Sequence, residues 1–183
     1  CPVLARAKVW VAVVPDGLDM STHHPGSVGM LAYWRARLPG RFFLFVGALR
    51  YYKGLDYLLE AARISGLPVV IMGGGFLEAQ LRQQAADAGL AQVQFLGGLP
   101  DEDKVALLEL CYAFTFPSHL RSESFGISLL EAAMYGKPLA SCELGSGTPF
   151  IHLADQTGLA VPPRDGAALA QAMPRLWTSA ERR

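Results

Sequence analysis

The sequence has no surplus of charge: Lys plus Arg and Asp plus Glu each number 16 among 183 residues. A broadly basic surface that holds nucleic acid by counterion release is thereby excluded, while a small local anion site is not. Charge of either sign is scarce, at 17% of residues against roughly 25% in ordinary domains. Cysteine is scarcer. Cys1, Cys111 and Cys142 are odd in number and far apart, with no CxxC pair. That excludes a readable disulfide framework or a Cys/His zinc site and suits a reducing, cytoplasmic compartment. No apolar run approaches the ~18 residues of a transmembrane helix. No signal peptide is expected within these residues, and the chain opens on Cys1-Pro2 rather than Met, so its natural N-terminus is expected upstream.

Several catalytic and cofactor signatures are missing too. No GxxxxGK[ST] loop occurs, no strand is followed by GxGxxG with an acidic residue ~20 positions on, and there is no GxSxG elbow. His119 and His152 fall into no Ser/His/Asp order and read as ordinary packed or surface histidines. What the chain has in quantity is apolar side chain, 51% of residues. Disorder is excluded and a sizeable core required. The excess implies either a parallel sheet buried on both faces or a former interface now exposed.

The apolar residues fall into an alternating series. Val9–Val14, Phe42–Val46, Val69–Met72, Val93–Leu96, Ala113–Phe116, Leu139–Ser141 and Leu159–Val161 read as short buried strands. Between them the sets Leu55/Leu58/Leu59/Ala62, Leu77/Leu81/Ala85, Val105/Leu108/Cys111 and Ile127/Leu130/Met134 follow helical spacing. A short helix is expected around Met30–Leu38, and a last one over Gly166–Leu176, kinked or ended by Pro174. The pattern predicts an α/β fold, a Rossmann-like doubly wound parallel sheet. Residues 1–15 read as a tail or linker from a preceding domain, and 16–183 as the domain itself.

Ligands of such sheets bind outside the carboxyl ends of the strands, so the exit turns carry the function. Gly47-Ala48-Leu49-Arg50-Tyr51-Tyr52-Lys53-Gly54 puts two cations before a helix N-terminus, as a phosphate site or as solvated loop charges. Gly73-Gly74-Gly75 permits a close backbone approach or simply a turn. Asp101-Glu102-Asp103 is either a DxD metal motif or a set of acids favoured in a first helical turn. Ser124 is expected to cap a helix running to about Tyr135, with Gly136 ending it. That places Glu123 at the mouth of the site. Glu131 lies two turns in, on an otherwise apolar helix, where a carboxylate needs ligand hydroxyls or a salt bridge. Gly145-Ser146-Gly147-Thr148 either cradles phosphate or makes a turn.

Taken in order, these stretches resemble the C-terminal, donor-binding domain of GT-B glycosyltransferases of family 4, the large retaining group. The resemblance covers roughly residues 13–173. Val14-Pro15-Asp16-Gly17-Leu18-Asp19 is similar to the family's V-P-N-G-x-D, with Asp16 in place of Asn. Gly47-Ala48-Leu49…Lys53-Gly54 is similar to G-R-L-x-x-x-K-G, with Ala48 in place of Arg. Glu123 and Glu131 fit E-x7-E within E-x-F-G-x-x-x-x-E-A, and Gly136-Lys137-Pro138 and Thr157-Gly158-Leu159…Val161 fit G-x-P and T-G-L-x-V.

The resemblance implies a hexose, mannose favoured, moved from a nucleotide diphosphate sugar to a saccharide or lipid-linked saccharide. It implies Lys53 on the donor diphosphate with Gly47, and Arg50 in the part of the missing arginine. Glu131 would hold the ribose, and Glu123 would be the catalytic group beside the sugar. Backbone of Phe125, Gly126 and Ile127 would face sugar and phosphate, with Leu99, Asp101 and Lys104 at the base. No metal and no cofactor are implied. GDP-mannose is favoured over a UDP-hexose, as in bacterial mannosyltransferases of surface-polysaccharide synthesis. The acceptor would contact a separate N-terminal domain, so this polypeptide alone is expected to transfer nothing, and the whole enzyme could sit peripherally at the membrane's inner face. Two other readings stand beside this one: a nucleotide-sugar binding module without catalysis, and an NAD-dependent oxidoreductase domain, which the missing fingerprint disfavours.

Overall fold

From Phe43 onward, strands and helices alternate as the apolar runs require. In the computed structural model, residues 24–123, 125–144, 151–152 and 156–179 are described. They form α1 (Val28–Arg35), β1 (Phe43–Val46), α2 (Leu55–Ser65), β2 (Val69–Met72), α3 (Glu78–Asp87), β3 (Val93–Gly97), α4 (Asp101–Leu110), β4 (Ala113–Phe116), α5 (Ile127–Met134), β5 (Leu139–Cys142), β6 (Gly158–Val161) and α6 (Gly166–Ser179). All six strands pair in parallel, in the order β3-β2-β1-β4-β5-β6. The sequence-predicted strands agree to within a residue at each end. The expected strand Val9–Val14, the tail over residues 1–15 and the loop from Gly145 to Thr148 lie outside the described residues.

Alternate side chains of one strand serve opposite cores, which is the physical source of the apolar excess. Phe43 and Phe45 of β1, with Val69 and Ile71 of β2, pack under α2, α3 and α6 through Leu58, Leu81 and Met173. Leu44 and Val46, with Val70 and Met72, face α1, α4 and α5 through Trp34, Leu107 and Leu129. The sheet is doubly wound. Among the described residues no helix is long and apolar enough to cross a membrane.

Three helices depart from expectation. Helix α1 spans Val28–Arg35 rather than about Met30–Leu38. Helix α6 runs through Pro174 to Ser179, three residues beyond the expected Leu176, and Pro174 does not end it. An interior proline costs about 3 kcal/mol, and tertiary packing offsets it. Met173 and Leu176 are buried on either side of it. Trp177 stacks on Phe43 at 5.7 Å, and the Tyr112 hydroxyl donates to the carbonyls of Leu176 (3.1 Å) and Trp177 (2.7 Å). Helix α5 is entered at Gly126 with φ 92 and no side-chain cap, rather than at Ser124, which is itself outside the described residues. A Cβ at Gly126 would stand 2.9 Å from the Phe116 ring. The chain therefore swings over that ring where only glycine fits.

Candidate functional site

Strands β1 and β4 lie side by side, yet the chain leaves β1 toward β2 and leaves β4 toward β5. The exit loops diverge there and open a crevice, the usual ligand position in such sheets. Lys53 arrives from the β1 side in a one-turn 3₁₀ helix, Tyr51–Lys53. Glu123 arrives from the β4 side, and the two side chains form an ion pair, each 11% exposed. Ser118, fully buried, donates to the same Glu123 oxygen, Oε2, at 3.0 Å. The Lys53 ammonium stands 5.2 Å from the Phe116 ring centre and 5.4 Å from that of Tyr52. Because Gly126 rests on the same Phe116 ring, the uncapped start of α5 converges on the pair. Burying two charges costs several kcal/mol per ion before their attraction repays it. Such a pair is weak evidence for stability and better evidence for a site.

A second pair lies further along α5. Glu131 is five residues beyond Gly126, about 7.5 Å of helical rise. Its Oε1 accepts from Lys104 at 2.7 Å, each side chain 20% exposed. Lys104 also reaches Asp101 at 3.0 Å, whose own side chain is 90% exposed. Burial disfavours the Lys104 charge, but the hydrogen bonds and charges of Glu131 and Asp101 outweigh it, and the pKa stands above the ordinary lysine value. That contribution to stability is present through neutral pH and is lost only as pH rises past the lysine range. Asp103 of the same acidic run accepts from the Trp34 indole at 2.8 Å, tying α4 to α1. Among the described residues, no cluster of three or more His, Cys, Asp or Glu is placed to hold a metal ion.

Of the residues singled out in the sequence, the fold thus joins Lys53 to Glu123 and Lys104 to Glu131. Phe125 is buried and Ile127 exposed at the entrance to α5. Gly47 extends β1 by a hydrogen bond to Met72 O at 3.0 Å, and Leu99 packs half-buried beneath α4. Arg50 is exposed and precedes the 3₁₀ turn in extended conformation. Lys53, not Arg50, carries the buried charge of this loop. Sequence reasoning assigned no role to Ser118; a serine between the end of a buried strand and the first acid was the available signal. Cys111 and Cys142 are buried, and burial pushes both thiols up to about 12, which leaves them unreactive.

His119 braces the two exit loops. Its backbone N–H donates to Tyr52 O at 2.9 Å, and its ring meets Tyr57 edge-on at 5.4 Å. Burial and the nearby Arg164 charge lower its pKa, with Asp56 opposing. A lowered folded pKa means that the unfolded chain takes up the proton first, so stability falls as pH drops from about 6.5 toward the folded value. Urea denaturation at pH 7 and pH 5 is expected to show a smaller acid loss for His119→Asn than for the parent. Equal losses would mean that His119 is not the group that titrates.

A parallel six-stranded sheet in the order 3-2-1-4-5-6, covered by helices on both faces, is a Rossmann-like domain of the kind found in GT-B glycosyltransferases. Residues 34–183 match the family described as glycosyl transferases group 1, and the chain belongs to it. The D-rhamnosyltransferase WbpZ of Pseudomonas aeruginosa is 54% identical over 175 residues, 96% of this chain and 46% of that protein. The O-antigen chain mannosyltransferase C of Escherichia coli is 52% identical over 169 residues, 92% of this chain and 45% of that protein. The chain spans about half the length of the curated relatives it matches. In fold it is similar to the C-terminal domain of a group 1 glycosyl transferase, LpcC of Francisella tularensis. That match has a TM-score of 0.74 and 22% identity, covering 90% of each chain.

Proposed function

We propose that this chain is the C-terminal, donor-binding domain of a retaining family 4 glycosyltransferase that takes a manno-configured hexose from a nucleotide diphosphate sugar. The observation that carries the reading is the buried Lys53–Glu123 pair at the β1/β4 crevice. Lys53 and the uncapped start of α5 neutralise the diphosphate as the glycosidic bond breaks. Glu123 lies beside the donor sugar, holds its hydroxyls and steadies oxocarbenium-like charge. Backbone N–H groups of Phe125–Ile127 face sugar and phosphate, and Arg50, from its exposed position, closes on the phosphates from outside.

Glu131 accepts the ribose hydroxyls. One of its oxygens takes Lys104, and a carboxylate offers about four acceptor sites in all, so capacity remains. Leu99, Asp101 and Lys104 take the base. D-rhamnose is 6-deoxy-D-mannose, so the sugars named for the two similar proteins share one configuration. That supports mannose or its 6-deoxy form, carried on GDP, and a saccharide or lipid-linked acceptor of surface polysaccharide. The reaction needs no metal. The acceptor is held by a separate N-terminal domain, so the chain by itself binds donor and transfers nothing.

Calorimetric titration of the chain tests this. GDP is expected to bind, UDP more weakly and NAD not at all. Hydrogen bonds to a charged group contribute about 1.5–3 kcal/mol, so 2′,3′-dideoxy-GDP should bind at least roughly tenfold more weakly than GDP. Glu131→Ala should abolish that difference. Tighter binding of UDP would overturn the GDP assignment, and a dideoxy penalty surviving in Glu131→Ala would overturn the ribose role.

A further inference from the structure

We infer that Ser118 is a positioning residue that holds the Glu123 carboxylate while Lys53 changes partners. The inference rests on the proposed roles of Lys53 and Glu123. Pro117 follows β4 directly, and Ser118 is completely buried, where a hydroxyl without a partner is costly. Its partner is Glu123, at 3.0 Å, and the bond closes the loop 118–123 from one end to the other. The Glu123 N–H to Leu120 O contact at 3.1 Å tightens that loop from within.

Ser118 and Lys53 donate to the same oxygen, Oε2. The duplication has a consequence when an anion arrives. A diphosphate in the crevice competes for the Lys53 ammonium, and as Lys53 turns to it the carboxylate loses its cationic partner. With Ser118 in place Oε2 keeps one donor from a rigid, buried position, and the side-chain rotamer of Glu123 is preserved. Without Ser118 the carboxylate would either stay on Lys53 or swing free. Misplacement by about 1 Å is enough to cost on the order of 10²-fold in rate. The hydroxyl matters little to binding the diphosphate itself, which it does not touch. It acts on turnover.

The test is a double-mutant cycle in the complete protein that contains this chain, read as release of GDP from GDP-mannose with water as acceptor. Ser118→Ala is expected to lower kcat roughly 10- to 100-fold while KM and GDP affinity stay within about twofold. In a Glu123→Gln background, itself strongly impaired, Ser118→Ala is expected to add less than about twofold, because the two act as one unit. Melting curves establish that each variant is folded. Unchanged kcat in Ser118→Ala, or a full multiplicative loss in the Glu123→Gln background, would overturn the inference. Parental activity in Glu123→Gln would instead overturn the role of Glu123 on which it rests.

Discussion

Replacing Lys53 with Met is expected to lower stability by about 3–5 kcal/mol, the cost of stranding a buried charge. For a chain of this size that is a fall of roughly 6–20 °C in melting temperature. The Glu123 carboxylate, 11% exposed, would keep Ser118 as donor but lose its counter-charge. Because desolvation nearly cancels attraction in a buried pair, Lys53→Met combined with Glu123→Leu is expected to recover part of the loss, the stranded Ser118 hydroxyl keeping about 1–3 kcal/mol of it. Function should not follow. Both the single and the double variant are expected to lose nucleotide diphosphate affinity, and turnover in the complete protein should fall by at least about 10²–10³, as when one preorganised charge stabiliser is removed. Thermal melts and calorimetry on the same three proteins separate the two effects. If the double variant is as unstable as the single one, the pair is a structural brace and the site must be sought elsewhere on the sheet edge.

The sheet was legible because its information is local. The four inner strands are buried four-residue runs, the edge strands β3 and β6, read as buried too, are only partly so, and each helix repeats its apolar face every three or four residues. Parallel order follows from that alternation. The limits lay where distant segments meet. Pro174 read as a kink or a stop because the sequence around it does not show Tyr112 holding the same helix end from far upstream; its hydroxyl reaches Leu176 O and Trp177 O across 64 and 65 positions. Ser124 read as a cap because serine is a good one, and the sequence does not reveal that the Phe116 ring fills the space where a Cβ at the true entry point would go. Within the site, Lys53 and Glu123 were readable as charges in strand-exit loops, and Lys104 and Glu131 as charges on the helices α4 and α5. That they neutralise one another in two pairs was not, since those pairs bridge 70 and 27 positions. For Glu131 the sequence left ligand hydroxyls and a salt bridge open. The salt bridge is present, and it leaves acceptor capacity for a ligand.

Gly54→Ala is expected to damage the site as severely from the backbone. Gly54 stands at φ 70 and closes the 3₁₀ turn that presents Lys53. A Cβ there would lie 2.1 Å from Pro117 O and 3.0 Å from its carbonyl carbon, so the clash is with backbone of the opposing exit loop and no rotamer relieves it. The left-handed conformation alone costs a residue with Cβ about 1–2 kcal/mol, and forcing the loops apart adds about 1–3 kcal/mol of overpacking. The same displacement would stretch the His119 N–H to Tyr52 O bond and pull Lys53 from Glu123, the two contacts that hold the crevice in register. Gly66 supplies the control. It caps the end of α2 at φ 68, nearly the same backbone angle, and a Cβ there would meet nothing within 4 Å. Gly66→Ala should therefore show the conformational cost alone, about 1–2 kcal/mol, and leave nucleotide binding intact. Urea denaturation and GDP titration of the two alanine variants side by side give the answer: Gly54→Ala is expected to lose more stability and nearly all affinity. Equal losses in both would mean that the contact between the β1 and β4 exit loops plays no part in holding the crevice.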